Sequence, residues 1–213
     1  VRLASTVIIA TLAWIALPLL AAGEEVERVL ALVNGVPVLA SDVELAEIAR
    51  LVPRRAEESD SDYRRVVVEA LVALELRWQD LQAAGVVMRL RTDAERAWHS
   101  VVERAGGSRA VHDRLAAAGL EESLLRELTR RAAVVEAYVA SRFGTFIHPT
   151  TEELERAFRE EFVPSLPAGS APPDLATVRP QLEAILRERK LEAEVERWTR
   201  SLELRGEVVR YLR

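Results

Sequence analysis

The apolar residues of this chain are spaced in three different ways. From Leu3 to Ala22 they run on without a charge. Val29–Val33 and Val36–Leu39 are short, β-branched-rich runs, the pattern of brief strands. From Ser41 onward they recur every three or four residues, which predicts amphipathic helices. Asn34-Gly35 separates the two short runs and is the dipeptide most favoured in a two-residue hairpin turn. Pro37 confines the second run to a sheet edge, because proline has no N–H to give a ladder.

The helical part is punctuated clearly. Ser41 and Glu44 fit a capping box, Ser41 bonding forward and Glu44 reaching back, for a helix through about Leu51 that ends at Pro53. A charged loop from Arg54 to Asp62 leads to a helix over Tyr63–Ala84, with Val67, Leu71, Leu74, Trp78 and Leu81 on one face and Gly85 as its stop. Helices are also predicted over Thr92–Ala105, from a Ser108 cap to Gly119, and from Glu121 to Phe143. The last carries the stripe Leu124, Leu128, Ala132, Val135, Val139 and Phe143. Thr150 and Glu153 form a second capping box opening a helix to about Phe162.

Four prolines, Gly169 and two serines between Pro164 and Pro173 read as a linker or exposed loop. Thr177 is placed to cap a final long helix with Pro180 in its first turn. Val208–Leu212 is a terminal strand. The domain reading is therefore residues 1–23 as a targeting segment, 24–163 as a helical domain, 164–176 as a Pro-rich loop, and 177–213 as the helix and strand that complete the same domain. The fold class expected is mainly α, with a small sheet made by short N-terminal and C-terminal strands. Neither Val29–Val33 nor Val208–Leu212 is long enough to stand alone, so the two are expected to share that sheet. Leu182, Ile185, Val195, Trp198 and Leu202 of the last helix are expected to pack back on the N-terminal helices.

Composition narrows the function. Apolar residues make up 49% and charged residues 30%, a globular balance. The net charge of −5, with no Lys/Arg block, disfavours nucleic acid as a partner. There is no cysteine, so disulfides and thiolate chemistry are excluded. Arg2, the apolar run, Pro18 and the small residues Ala21 and Gly23 ahead of Glu24 have the form of a cleaved export signal. The alternative is an inner-membrane anchor, since twenty apolar residues at about 1.5 Å each suffice to span a bilayer. In either case the rest of the chain is expected outside the cytoplasm, in the periplasm.

The ordered signals resemble a known family. Val26–Val43 (a hydrophobic strand, Val-Asn-Gly, a short strand, then Ser-Asp-Val) is similar to the opening of SurA-type periplasmic chaperones. Ser108–Phe143, with Leu115 and Gly119-Leu120, resembles the later helices of that N-terminal domain, and Arg179-Pro180-Gln181-Leu182 through Trp198 resembles its returning C-terminal helix. The resemblance implies a helical chaperone domain that binds unfolded or extended outer-membrane proteins without ATP. In that family parvulin-type prolyl isomerase domains of on the order of a hundred residues lie between the matching parts. Here only about His148 to Asp174 intervenes, so no isomerase activity is expected of this chain.

Other chemistry is thinly represented. His99 and His112 are split by a Gly-Gly break, and His148 lies apart, which is poor metal-ligand spacing. Acidic pairs such as Glu57-Glu58 and Glu121-Glu122 sit at predicted loops and helix starts, where they complement helix dipoles. No phosphate loop, dinucleotide fingerprint or nucleophile elbow is present. No catalytic residue, metal or cofactor is therefore expected. Trp78 and Trp198 fall on strongly apolar stripes and read as core. Trp98, with Val101, Val102 and Met88, reads either as core or as an exposed apolar groove for clients. An adaptor that binds one folded envelope partner, or a foldase subunit lacking its own isomerase domain, is the alternative to a chaperone.

Overall fold

The computed structural model describes residues 27–90, 92–167 and 169–211. The predicted signal or anchor of residues 1–23, and Leu212 of the terminal strand, lie outside them. The chain is mainly helical, with one three-stranded sheet formed by β1 (Val29–Val33), β2 (Val36–Leu39) and β3 (Val208–Arg210) in the order β2-β1-β3. Both pairings are antiparallel. Val33 faces Val36 across the hairpin and Val208 on the other side, so the two ends of the described chain meet on one central strand.

The helices are α1 (Ala40–Ile48), α2 (Asp60–Ala83), α3 (Ala94–Ala105), α4 (Ser108–Ala118), α5 (Glu122–Arg142), α6 (Thr151–Ala157), a short turn α7 (Val163–Ser165) and α8 (Leu175–Arg205). A π-helical segment, Phe158–Phe162, joins α6 to α7. The main core lies between the sheet, α1 and α2, with Leu30, Val33, Val38, Val43, Val67 and Leu71 buried, and Leu202 of α8 closes it. The far side of α1 (Leu45, Ile48) packs on Trp98, Val101, Val111, Leu115 and Leu125 from α3, α4 and α5. Trp78 and Leu81 of α2 meet Val134 and Val135 of α5, with Trp198 partly buried against them.

Several local details depart from the sequence reading. Helix α1 starts at Ala40, and its N-terminal bond is made by Asp42, whose carboxylate accepts the Leu39 N–H at 2.8 Å; Ser41 and Glu44 do not form the expected box. Ser59 caps α2 at Asp60, three residues before the predicted start, by accepting the Asp62 N–H. Gly107, with no side chain to bond, holds the N-cap of α4, and Ser108 is already helical. At the start of α5 the buried position is Leu125 and Leu124 is 48% exposed, whereas Val135 is buried as read and Leu128, Ala132 and Val139 pack partly buried against the core. The capping box of Thr150 and Glu153 forms as read.

The largest difference concerns α8. Its cap is Asp174 rather than Thr177, so Pro180 lies inside the helix, beyond the first turn. Only its C-terminal half packs on the N-terminal helices, through Trp198 and Leu202. Leu182 is buried instead in a separate small cluster with Leu154 and Ala157 of α6, flanked by Phe158 and Phe162. Ile185 is 37% exposed and Val195 half-buried, so neither completes the main core. At about 1.5 Å per residue a helix of 31 residues is roughly 46 Å long, and α8 therefore serves two cores in succession.

Candidate functional site

The site grows out of the way α1 ends. The helices α2, α3 and α4 close with Gly85, Gly106 and Gly119 at positive φ, the usual device for satisfying the last carbonyls. Helix α1 uses the same closure, with Arg50 N–H bonding Glu47 O and Leu51 N–H bonding Ala46 O, but it places an arginine there at φ 48°. A non-glycine residue in this conformation costs of order 1 kcal/mol, so a side chain held there has to be explained by what it does.

Arg50 stands where two clefts meet. The larger, about 1200 Å³, has a floor of Ile48, Val52, Pro53, Tyr63, Ala117 and Ala118 and a charged rim of Glu44, Glu47, Arg50, Arg54, Arg104 and Arg114. The second, about 770 Å³, runs between α3 and α5 over small residues such as Ala97, Ser100, Ala132, Ala133 and Ala137. Arg50 and Arg104 line both, so the two clefts adjoin there and are treated together as one trough.

The floor is firmly held. Tyr63 donates its hydroxyl to Val52 O at 3.1 Å, which pins the loop that carries Pro53 and Arg54. The Arg54 guanidinium lies 5.1 Å from the Tyr63 ring centroid and pairs with Asp60 at the start of α2. Burial pushes the Tyr63 phenol above its usual range, with Glu47 reinforcing the shift. Burial likewise raises the Glu47 carboxyl, against the opposing pull of Arg64. The trough thus offers apolar surface and charge of both signs, with no nucleophile paired to a base among its lining residues.

The residues singled out from sequence are dispersed. Trp98 (8% exposed) and Val101 (4%) are packed into the cluster beneath the trough, and Val102 is half-buried beside them. The Arg126 guanidinium covers the Trp98 ring at 4.1 Å from its centroid, so the indole presents no open face to a client. Of the four, only Val101 lines the trough. Met88 is 92% exposed in the turn after α2, next to Val86 and Val87, which pack on the Trp78 cluster instead. Tyr63, Ile48, Arg50 and Arg104 were not singled out, because they come from α2, from the end of α1 and from α3, and no local pattern shows that these elements meet. His99, His112 and His148 are exposed and apart, and among the described residues no three His, Asp or Glu side chains gather as a metal site requires. Among the same residues no helix is long and apolar enough to cross a membrane.

No protein-family model matches the chain, and neither does any curated protein.

Proposed function

We propose that this chain is an exported, ATP-independent chaperone that holds extended segments of unfolded envelope proteins in the α1–α4 cleft and its continuation between α3 and α5. The observation that carries this reading is the trough itself: an apolar floor of Ile48, Val52, Pro53, Tyr63 and two alanines, rimmed by six charged residues. Such a surface gives each client contact a small gain and rejects few sequences, which suits transient, promiscuous holding. Small residues along the second cleft leave room for a main chain carrying varied side chains.

The resemblance to the SurA-type N-terminal domain supports the same reading through the order of its elements and points to outer-membrane proteins as clients. Residues 1–23 are proposed to deliver the chain to the periplasm. The proposed chaperone has no prolyl isomerase activity of its own: the segment between the two parts that resemble the family is too short for a parvulin domain, and its α6 and π-helical segment pack on α8. Aggregation of a urea-unfolded outer-membrane protein, followed by light scattering after dilution, tests the proposal. Suppression at near-stoichiometric ratios is expected, and unaltered scattering at a several-fold excess of this protein would refute it.

A further inference from the structure

Asn34 is the only asparagine in the 213-residue chain, and glycine follows it. Asn-Gly is the sequence in which an amide side chain is most easily attacked by the next backbone nitrogen, because glycine presents no Cβ to hinder the approach. We propose that Asn34-Gly35 is a deamidation site, closed while the three-stranded sheet is intact and opened when the chain ends separate.

The protection is visible in the contacts. Asn34 Oδ1 accepts the Glu207 N–H at 2.7 Å, and Asn34 Nδ2 donates to Gln79 Oε1 at 2.8 Å. Both polar atoms of the amide are engaged, so the Cγ that must be attacked is fixed in place. The backbone is fixed as well: Asn34 sits at φ 50° and Gly35 at φ 81° in the hairpin turn, and Asn34 N–H bonds Glu207 O at 2.8 Å. Attack requires the side chain to leave these partners and swing over the Gly35 nitrogen. That motion is available only after β3 has let go.

The chemistry is complete with water alone. The Gly35 nitrogen bonds to Asn34 Cγ and gives up its proton, the Cγ–Nδ2 bond breaks, and ammonia departs. Water then opens the five-membered imide at either carbonyl, leaving aspartate or isoaspartate at position 34. Aspartate keeps an oxygen that can accept the Glu207 N–H, but both products lose the Nδ2 that donates to Gln79 Oε1. Gln79 Nε2 is committed to Val33 O at 3.1 Å and to Glu75 Oε1 at 2.8 Å, so its Oε1 must keep facing position 34. A carboxylate there sets one acceptor against another, on the same Gln79 amide that the Glu75 carboxylate engages. Isoaspartate in addition lengthens the main chain by one carbon inside a two-residue turn. The reaction thus marks, irreversibly, molecules whose ends have come apart.

The test uses the full chain at mildly alkaline pH, with and without guanidinium chloride above the unfolding midpoint, followed by intact mass. With one asparagine present, a gain of one mass unit reports this site, and the tryptic peptide Val29–Arg50 locates it. Deamidation roughly tenfold or more faster in the unfolded chain is expected, as for any reaction gated by opening. The deamidated protein, separated by ion exchange and refolded, is expected to melt at least about 3 °C lower and to exchange the amides of Val208–Arg210 faster. Equal rates in the folded and unfolded chain would overturn the gating. A deamidated protein that melts with its parent would overturn the claim that the product fails to close.

Discussion

Asn34 and Glu207, 173 positions apart, exchange two hydrogen bonds: Asn34 N–H donates to Glu207 O at 2.8 Å, and Glu207 N–H donates to Asn34 Oδ1 at 2.7 Å. The turn of the N-terminal hairpin is thereby joined to the start of β3. Arg210, at the other end of β3, is bonded by Glu69 of α2 and Glu203 of α8, which hold its guanidinium charged more firmly than usual. A strand of three residues is too short to persist by pairing alone, and these end contacts supply what its length does not.

Gly206 makes room for that staple. Its backbone is extended, so glycine is not required for conformation, but a Cβ there would lie 2.6 Å from Asn34 Oδ1. Gly206→Ala is expected to destabilise the protein by about 1–3 kcal/mol in urea melts, the range for an unpaired buried or semi-buried polar group. In an Asn34→Gly background the same change should lose much less, because the blocking side chain is gone. Fully additive losses would show that the contact is incidental.

The two buried leucines of α8 should behave differently although both are nearly inaccessible, Leu182 at 4% and Leu202 at 7%. Leu202→Ala opens the main core and is expected to lower global stability by about 2–5 kcal/mol. Leu182→Ala should loosen only α6 and the N-terminal half of α8, seen as faster amide exchange there with a nearly unchanged main unfolding transition. An equal global loss in both variants would contradict the division into two cores.

Arg50 sets stability against function. Arg50→Gly removes the left-handed strain while keeping the helix closure, and should stabilise the protein by about 0.5–1 kcal/mol. The same change removes the guanidinium shared by the two clefts, and client affinity is expected to fall. Fluorescence anisotropy of a labelled unfolded client, paired with thermal melts, checks both halves.

Acid should erode a bond network on α5. Glu127 accepts from Arg130 at 2.8 Å and from Arg131 at 2.9 Å, and these bonds hold its carboxyl down to about 2 against an ordinary 4.5. A depressed carboxyl stabilises the fold fully above 4.5, and that contribution is lost as pH falls toward 2. The side chain is 42% exposed, so solvent screening limits the effect to under about 1 kcal/mol. Glu127→Gln is expected to lose part of the stability difference between pH 5 and pH 2, measured by urea titration at each pH.

Much of the architecture was legible in the sequence because local signals agreed with the global arrangement. The strand–Asn-Gly–strand hairpin, the glycine stops of α2, α3 and α4, and the capping box at Thr150 are all written in short motifs. The pairing of the chain ends followed from two strands each too short to stand alone. What could not be read depends on neighbours. Leu124 and Leu125 are adjacent and equally apolar, and only the position of α3 and α4 decides which is buried. Helix α8 has enough apolar residues for a single stripe, and nothing local shows that Leu182 and Leu202 serve separate cores. Trp98 looked available because its own helix is thinly apolar; the covering Arg126 comes from α5. The trough was missed for a related reason, since α1 ends on an arginine where a glycine would have signalled closure.

The absence of cysteine permits the most direct test of the central claim. A single Ala117→Cys in the cleft floor, and in a second protein Glu192→Cys on an exposed face of α8, are each labelled with a photo-crosslinker and mixed with an unfolded outer-membrane protein. Crosslinked client at position 117 and little or none at position 192 is the result the account predicts. Equal capture at both positions, or none at 117 while aggregation is still suppressed, would contradict the assignment of the trough as the client site.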